Sequence, residues 1–339
     1  MAESAKNSGG DRAVRFAIAG CGRIAQSHFE AVASSPNADV VAAIEVRETA
    51  GQAVAEEYQC RHFADYRDAE IDELADAVII CTPPNTHFEL ARSFLERGAH
   101  VLCEKPLTIR SDEAKELVSL SRTNGLKLMM ASKFRYVDDI IKAKSIIEAG
   151  ILGPIILYEN SFCSKVHMRD RWNSQKDIAG GGVLIDNGCH SVDIARYLLG
   201  PIECVQAHNG MHSQGLEVED TVRLQFRTHS GVMGLVDLSW SVNKGSNVYI
   251  SVFGADGTLL IGWQGSRYRQ DENSNWVPFG EGYNKLTAFA RQIENFINCV
   301  RDTQEPLITP EDALASVQAI ETAYVSASKS DWLQLEPTT

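Results

Sequence analysis

The segment Val14-Arg15-Phe16-Ala17-Ile18-Ala19-Gly20-Cys21-Gly22-Arg23-Ile24-Ala25 decides how the rest of the chain is read. Val14, Phe16 and Ile18 form an apolar run that stops at glycine and reopens as helix-like sequence from Arg23, Ile24 and Ala25. The pattern is a buried strand, a tight turn and a helix start, the turn reading Gly20-x-Gly22-x-x-Ala25. Gly20 permits a turn where a side chain would clash. Gly22 would let a pyrophosphate lie against bare backbone, and Ala25 is small enough for the helix to pack close to the strand. The helix start offers unpaired N–H groups and the positive end of a dipole to phosphate.

Gly-x-Gly turns also occur with no ligand, so context has to decide. Here a strand precedes the turn and a helix follows it. The next apolar run, Val40-Val41-Ala42-Ala43-Ile44, ends on Glu45, 25 residues beyond Gly20. That is near the ~20 expected of a ribose-binding carboxylate. These features together predict a dinucleotide site.

The same alternation continues to about Ser132. Strands are expected at 14–19, 39–45, 76–82, 99–103 and 127–131, with helices near 23–34, 48–57, 86–97 and 111–124. Ser111 reads as a helix cap followed by acids in the first turn. Strand–helix alternation predicts a doubly wound parallel sheet covered on both faces, an α/β Rossmann arrangement with ligands at the carboxyl ends of the strands. Gly20 and Gly22, Glu45, Thr82-Pro83-Pro84-Asn85 and Glu104-Lys105-Pro106 all fall at such ends.

After a helical stretch at 137–149 the texture changes. Val236, Leu238, Trp240 and Val242 alternate with polar residues, as do Val248, Ile250 and Val252, and His229-Ser230-Gly231 and Ala255-Asp256-Gly257 read as hairpin turns. The expectation is an α+β second domain with an open, mainly antiparallel sheet, closed by two helices, the second starting at Thr309-Pro310-Glu311-Asp312. We therefore divide the chain into a disordered lead-in at 1–12, a nucleotide-binding domain at 13–133 and a second domain at 134–339.

Composition sets bounds. The chain has 339 residues, 32 basic and 45 acidic, for a net charge of −13, which argues against nucleic acid or an anionic membrane as a partner. No apolar run approaches the ~20 residues of a membrane helix, and Met1–Arg12 lacks the apolar core of a signal peptide. The eight cysteines are scattered without a Cys-x-x-Cys pair and suit reduced thiols in a cytoplasmic protein. His28, His62, His100, His208, His212 and His229 have no partners at metal-ligand spacing, so no metal site is expected.

Three stretches could carry chemistry. Lys105, at the end of strand Val101-Leu102-Cys103, could hold a substrate oxygen near a nicotinamide; spacing alone leaves open a simple loop ion pair with Glu104. Asp186, His190 and Asp193 would share one helix face. A carboxylate beside an imidazole suits proton removal from an alcohol, and a buried structural pair is the alternative. The preceding run Gly180-Gly181-Gly182 favours a site slightly. Lys165, His167, Arg169 and Arg171 alternate up to Trp172 and, if extended, point one way as a basic stripe for an anionic substrate; a solvated face is the plainer reading.

Gly20-Cys-Gly22-Arg-Ile-Ala25, Thr82-Pro-Pro-Asn85-Thr-His87, Glu104-Lys105-Pro106 and Gly180-Gly-Gly-Val-Leu-Ile-Asp186-Asn-Gly-Cys-His190-Ser-Val-Asp193, in that order, resemble the Gfo/Idh/MocA family of glucose–fructose oxidoreductase and inositol dehydrogenase relatives, from about Val14 to Ser328. The resemblance implies a nicotinamide dinucleotide on the first domain, held around Gly20, Gly22, Arg23, Ile24, Glu45, Thr82, Pro83, Asn85, His87, Glu104 and Lys105. It implies substrate on the face of the second sheet, with Lys105, Asp186 and His190 at the reaction site. Arg135, Arg169, Arg171, Trp172 and Asn187 are expected around the substrate. It also implies homodimers or homotetramers assembled through that sheet. Glu45 would repel a 2′-phosphate, which favours NAD over NADP, although Arg47 nearby could serve one.

The expected activity is transfer of a hydride between a secondary hydroxyl, or ketone, of a sugar and NAD. His190, oriented by Asp186, would be the base and Lys105 the oxygen clamp. The basic stripe points to an acidic or nucleotide-linked sugar. A cyclitol such as inositol or a free sugar is the first alternative, an NAD-dependent glycoside-cleaving enzyme the second, and a non-catalytic nucleotide sensor the third.

Overall fold

A computed structural model describes residues 12–336; the lead-in expected over residues 1–12 lies, except for Arg12, outside the described residues. The first half alternates β1 (Val14–Ala19), α1 (Arg23–Ala33), β2 (Ala38–Ile44), α2 (Glu48–Tyr58), β3 (Arg61–Phe63), α3 (Ile71–Leu74), β4 (Ala77–Ile80), α4 (His87–Glu96), β5 (His100–Glu104), α5 (Ser111–Thr123) and β6 (Leu128–Ala131). The six strands are all parallel, in the order β3-β2-β1-β4-β5-β6. Phe16, Ala17 and Ile18 of β1 and Val78 and Ile79 of β4 are fully buried, as continuous apolar strands covered on both faces must be. The order reverses between β1 and β4, so the crevice above their carboxyl ends is the ligand position of this architecture.

Two short elements, β3 and α3, escape the sequence reading, being too brief to show a period. Ser111 is the first residue of α5 and not its cap; Arg110 holds the cap position without a side-chain hydrogen bond.

The chain then forms α6 (Asp138–Glu148), β7 (Ile155–Cys163), α7 (Lys176–Ala179), α8 (Val183–Asp186), α9 (Gly188–Leu199), β8 (Ile202–Asn209), β9 (Thr221–Thr228), β10 (Met233–Ser239), β11 (Val248–Gly254), β12 (Thr258–Gly262), β13 (Ser266–Arg269), β14 (Val277–Gly280), α10 (Lys285–Val300), α11 (Pro310–Lys329) and β15 (Leu333–Gln334). These strands make a nine-stranded sheet in the order β14-β13-β12-β11-β7-β10-β9-β8-β15. It is mainly antiparallel, with one parallel pair, β7 with β10. Trp240 and Val242 lie beyond β10, which ends at Ser239. Thr309 caps α11 in a reciprocal capping box with Asp312.

The last two long helices return to the first sheet: α10 packs on α1 and α11 on α5. Phe289, Ile293 and Phe296 of α10 are buried, and Phe296 meets Phe16 of β1. The two sheets are thus clamped by shared helices, and the cleft lies between them. Among the described residues, no helix is long and apolar enough to cross a membrane.

Candidate active site

A cleft of about 1270 Å³ runs from the carboxyl ends of β1, β2, β4 and β5 to the inner end of the second sheet. That exceeds the ~300–1,000 Å³ of a pocket for one drug-sized ligand, so it has room for a dinucleotide and a second small molecule. Gly20 is left-handed at φ 87°, and a Cβ there would lie 2.9 Å from the backbone of Cys81 and Thr82, so the fold itself demands this glycine. Gly22 is different: a Cβ there would meet nothing within 4 Å. It caps α1 without a side-chain hydrogen bond and lines the cleft. Its bareness suits a ligand laid against the backbone and the free N–H groups of the first helical turn.

Glu45, buried at the end of β2, accepts hydrogen bonds from the backbone N–H of Cys21 at 2.9 Å and from Arg47 Nε at 2.8 Å. Burial alone would raise its proton affinity. The Arg47 guanidinium and the two backbone N–H groups outweigh that and hold it at about 2. The charged carboxylate therefore lines the cleft beside the glycine turn, with Arg47 folded back onto it.

At the other end, Lys105 Nζ donates to Asp186 Oδ1 at 2.6 Å and to the Asp186 carbonyl at 2.8 Å. Burial disfavours the Lys105 ammonium, but Asp186 more than compensates and raises its proton affinity. Glu104 does not pair with that ammonium: its carboxylate meets His28 Nε2 at 2.9 Å and accepts from the Lys105 backbone N–H at 3.2 Å. His190 is 8% exposed, on the cleft wall, its ring edge-on to Phe134 at 5.0 Å. Burial, then Lys105, then Lys133, push its proton affinity well below the usual imidazole value, so it is neutral near pH 7. Its Nδ1 is buried without a hydrogen-bond partner among the described residues. The arrangement sets a fixed ammonium donor beside a neutral imidazole able to take a proton.

The amino-terminal model "Oxidoreductase family, NAD-binding Rossmann fold" matches residues 14–132, and its companion for the C-terminal alpha/beta domain matches 144–335. The chain belongs to the Gfo/Idh/MocA oxidoreductase family. Inositol 2-dehydrogenase of Rhizobium meliloti (strain 1021) is 26% identical over 335 residues, spanning 93% of this chain and 97% of that protein. The scyllo-inositol 2-dehydrogenase (NAD(+)) of Bacillus subtilis (strain 168) is 28% identical over 321 residues, 90% and 91% of the two chains. The WlbA dehydrogenase of Bordetella pertussis, solved with NADH and UDP-GlcNAcA, superposes with a TM-score of 0.83 at 25% identity, covering 96% of this chain and 99% of that one. This Gfo/Idh/MocA protein is accordingly an NAD-linked oxidoreductase of CH–OH groups, and the bare Gly22 backbone and charged Glu45 fit that cofactor.

Among the residues singled out in this family member's sequence, Gly20, Gly22, Arg23, Ile24, Glu45, Thr82, Pro83, Glu104, Lys105, Arg171, Trp172, Asp186, Asn187 and His190 line the one cleft. Others do not. Arg135 is 2% exposed, its Nε donating to Asp193 and its Nη1 to Asp312, both at 2.9 Å, so it is locked behind the wall. His87 is buried, its ring nitrogens on the carbonyls of Pro106 and Thr82, and acts by joining two cleft loops. Asn85 is exposed and outside the lining. The basic stripe divides: Val166 and Met168 turn into the cleft, which leaves Lys165, His167 and Arg169 on the outer side, and only Arg171 reaches it.

The Asp186–His190–Asp193 face also resolves differently. No hydrogen bond joins Asp186 to His190 among the described residues; Asp186 serves Lys105, and Asp193 serves Arg135 and Ser132. His190 is held by packing on Phe134. The glycine run is a packing device, since a Cβ on Gly181 or Gly182 would strike Tyr324 or Glu219. Sequence reasoning missed Lys133, Phe134, Phe162 and Trp263, all on the cleft wall. Lys133 and Phe134 follow β6 directly, and the rule that ligands bind at strand carboxyl ends could have found them.

Proposed function

We propose that this protein oxidises a secondary hydroxyl of a sugar-like ring, or reduces the matching ketone. His190 takes the hydroxyl proton and Lys105 holds the oxygen. Asp186 keeps the Lys105 ammonium charged and aimed. The carrying observation is His190 itself: a buried, neutral imidazole with an unpartnered nitrogen, on the same wall as the Lys105–Asp186 pair and in one cleft with the glycine turn. Bound NAD supplies the hydride acceptor, and the chain's own groups supply proton transfer and oxygen binding.

Arg171 and Trp172 at the mouth support an acidic or nucleotide-linked sugar, as does the likeness to a dehydrogenase solved with UDP-GlcNAcA. A cyclitol is the second reading, favoured by similarity to two inositol dehydrogenases. The reading includes assembly into dimers or tetramers through the second sheet, supported by exposed Ile156, Leu157 and Met233 on its central strands.

The test is NADH formation on sugars, cyclitols and nucleotide-sugars by the wild type and by His190→Ala and Lys105→Met. Removing the base is expected to lower kcat about 10²–10⁴-fold. Near-wild-type turnover in both variants would overturn the assignment.

A further inference from the structure

The ammonium of Lys133, on the cleft wall, has no carboxylate at ion-pair distance among the described residues. Lys133 opens the short turn Lys133–Tyr136 directly after β6, and its side chain lines the cleft with Lys105, Asp186 and His190. Three rings hold the Nζ atom: it lies 5.7 Å from the centroid of Phe134, 5.9 Å from Tyr283 and 5.7 Å from Phe289. Ring faces attract a cation and fix its position, but they do not neutralise it.

The carboxylates that could neutralise it are taken. Asp186 is bonded to Lys105 and Glu104 to His28. Lys244, also on the cleft, is paired with Asp237. No carboxylate lies within ion-pair distance of Lys133 among the described residues. A half-buried ammonium left like this is desolvated without compensation, and burial accordingly lowers its proton affinity against the through-space pull of Glu104. A group that supplied an oxyanion here would restore the lost solvation through a charge-assisted hydrogen bond.

We propose that Lys133 receives a carboxylate carried by the substrate ring, so that the substrate is a sugar acid. The inference rests on the dehydrogenase reading of this cleft and makes it specific. Lys105 and His190 engage the hydroxyl to be oxidised, and Lys133 engages the acid group of the same ring. A neutral sugar offers Lys133 only hydroxyls.

The experiment compares glucuronate with glucose and myo-inositol, and UDP-glucuronate with UDP-glucose, using the full chain with NAD and reading NADH. The wild type is expected to favour the acid of a pair in kcat/KM by at least about tenfold. In Lys133→Met that ratio should collapse toward one, chiefly through KM, and Lys133→Arg should restore part of it. Preference for the free or the nucleotide-linked acid tells which form the cleft takes. An equal or better neutral partner in the wild type overturns the proposal. So does a ratio that Lys133→Met leaves in place, or a loss of NADH affinity in Lys133→Met that matches the loss of activity, because the ammonium then serves the cofactor.

If no probe yields NADH, the dehydrogenase reading is what fails. Thermal shift of the NADH-loaded protein then decides the carboxylate site: stabilisation by glucuronate or UDP-glucuronate, absent in Lys133→Met, supports it, and no stabilisation by either overturns it.

Discussion

Lys133 and Arg135 stand two residues apart in one short turn, yet their charges live in opposite surroundings. Arg135 points behind the turn into a closed network. It bonds Asp193, Asp312 and the Leu307 carbonyl, and Ser132 Oγ completes Asp193 at 2.6 Å. Lys133 points forward into the cleft and finds rings in place of carboxylates. What separates them is charge pairing: Arg135 meets two carboxylates, though its Nη2 and Arg196 Nε lack a well-formed hydrogen bond among the described residues, whereas the Lys133 ammonium opens onto the cleft with no carboxylate at ion-pair distance and is available to a group that arrives from outside.

The largest effect that tests this contrast is on the closed side. Arg135→Met leaves Asp193, fully buried, and Asp312, partly buried, without their guanidinium. Breaking a buried pair from one side typically costs about 3–5 kcal/mol, and urea denaturation should show a loss of that order. A loss below about 1 kcal/mol would mean that the network is no more than a surface pair.

The next effect is smaller and separates the clusters by pH. His190 is held neutral, so below about pH 6.5 the unfolded chain takes a proton that the folded chain refuses. Stability should therefore fall as the pH drops from 6.5. Asp312 shifts stability in the same direction but at lower pH: burial would raise its proton affinity, but Arg135 and then Arg196 outweigh it and leave it lowered. Its contribution is present above its ordinary value of 3.8 and lost only as the pH falls through the lower folded value. The cleft thus weakens first and the network last. At about 1.4 kcal/mol per pH unit, His190 accounts for up to about 2 kcal/mol between pH 6.5 and pH 5. His190→Gln should reduce the acid sensitivity of the urea-unfolding free energy, with about 2 kcal/mol as the upper bound. An unchanged sensitivity would show that the imidazole is not held neutral.

The same contrast explains how much was legible. The parallel sheet, its glycine turn and Glu45 follow from local pattern, because strand, turn and helix lie next to one another in the chain. Lys105, Asp186 and His190 were visible as reactive residue types, but their pairing was not. Whether a carboxylate serves the lysine 81 residues away or the histidine four residues away is settled by tertiary packing, which brings Asp186 at the end of α8 to Lys105 just past β5. Arg135, Arg169 and Asn85 were misplaced for the same reason. A charge pattern tells which residues share a face, and tertiary packing decides whether that face meets the cleft, another charge or solvent. Phe162 and Trp263 reach the cleft from β7 and from just past β12, which no local period could announce.

The smallest stability change, and the sharpest contrast with Arg135, is expected of Asp186→Asn. The Lys105–Asp186 pair resembles the Arg135 pairs in distance, at 2.6 Å, but its side chains keep 16% and 26% of their exposure and open onto the cleft. The lysine left behind can reach water, so folding stability should change by less than about 1 kcal/mol. Activity should respond differently. The carboxylate is what raises the proton affinity of Lys105 against burial, and the asparagine cannot do so. The ammonium that holds the substrate oxygen will then be lost at lower pH than in the wild type. The alkaline limb of the kcat/KM profile, measured as NADH formation, should move to lower pH while the acid limb stays in place. Loss of activity with both limbs unmoved would make Asp186 a packing residue. A stability loss as large as that of Arg135→Met would erase the distinction between the closed network and the open cleft.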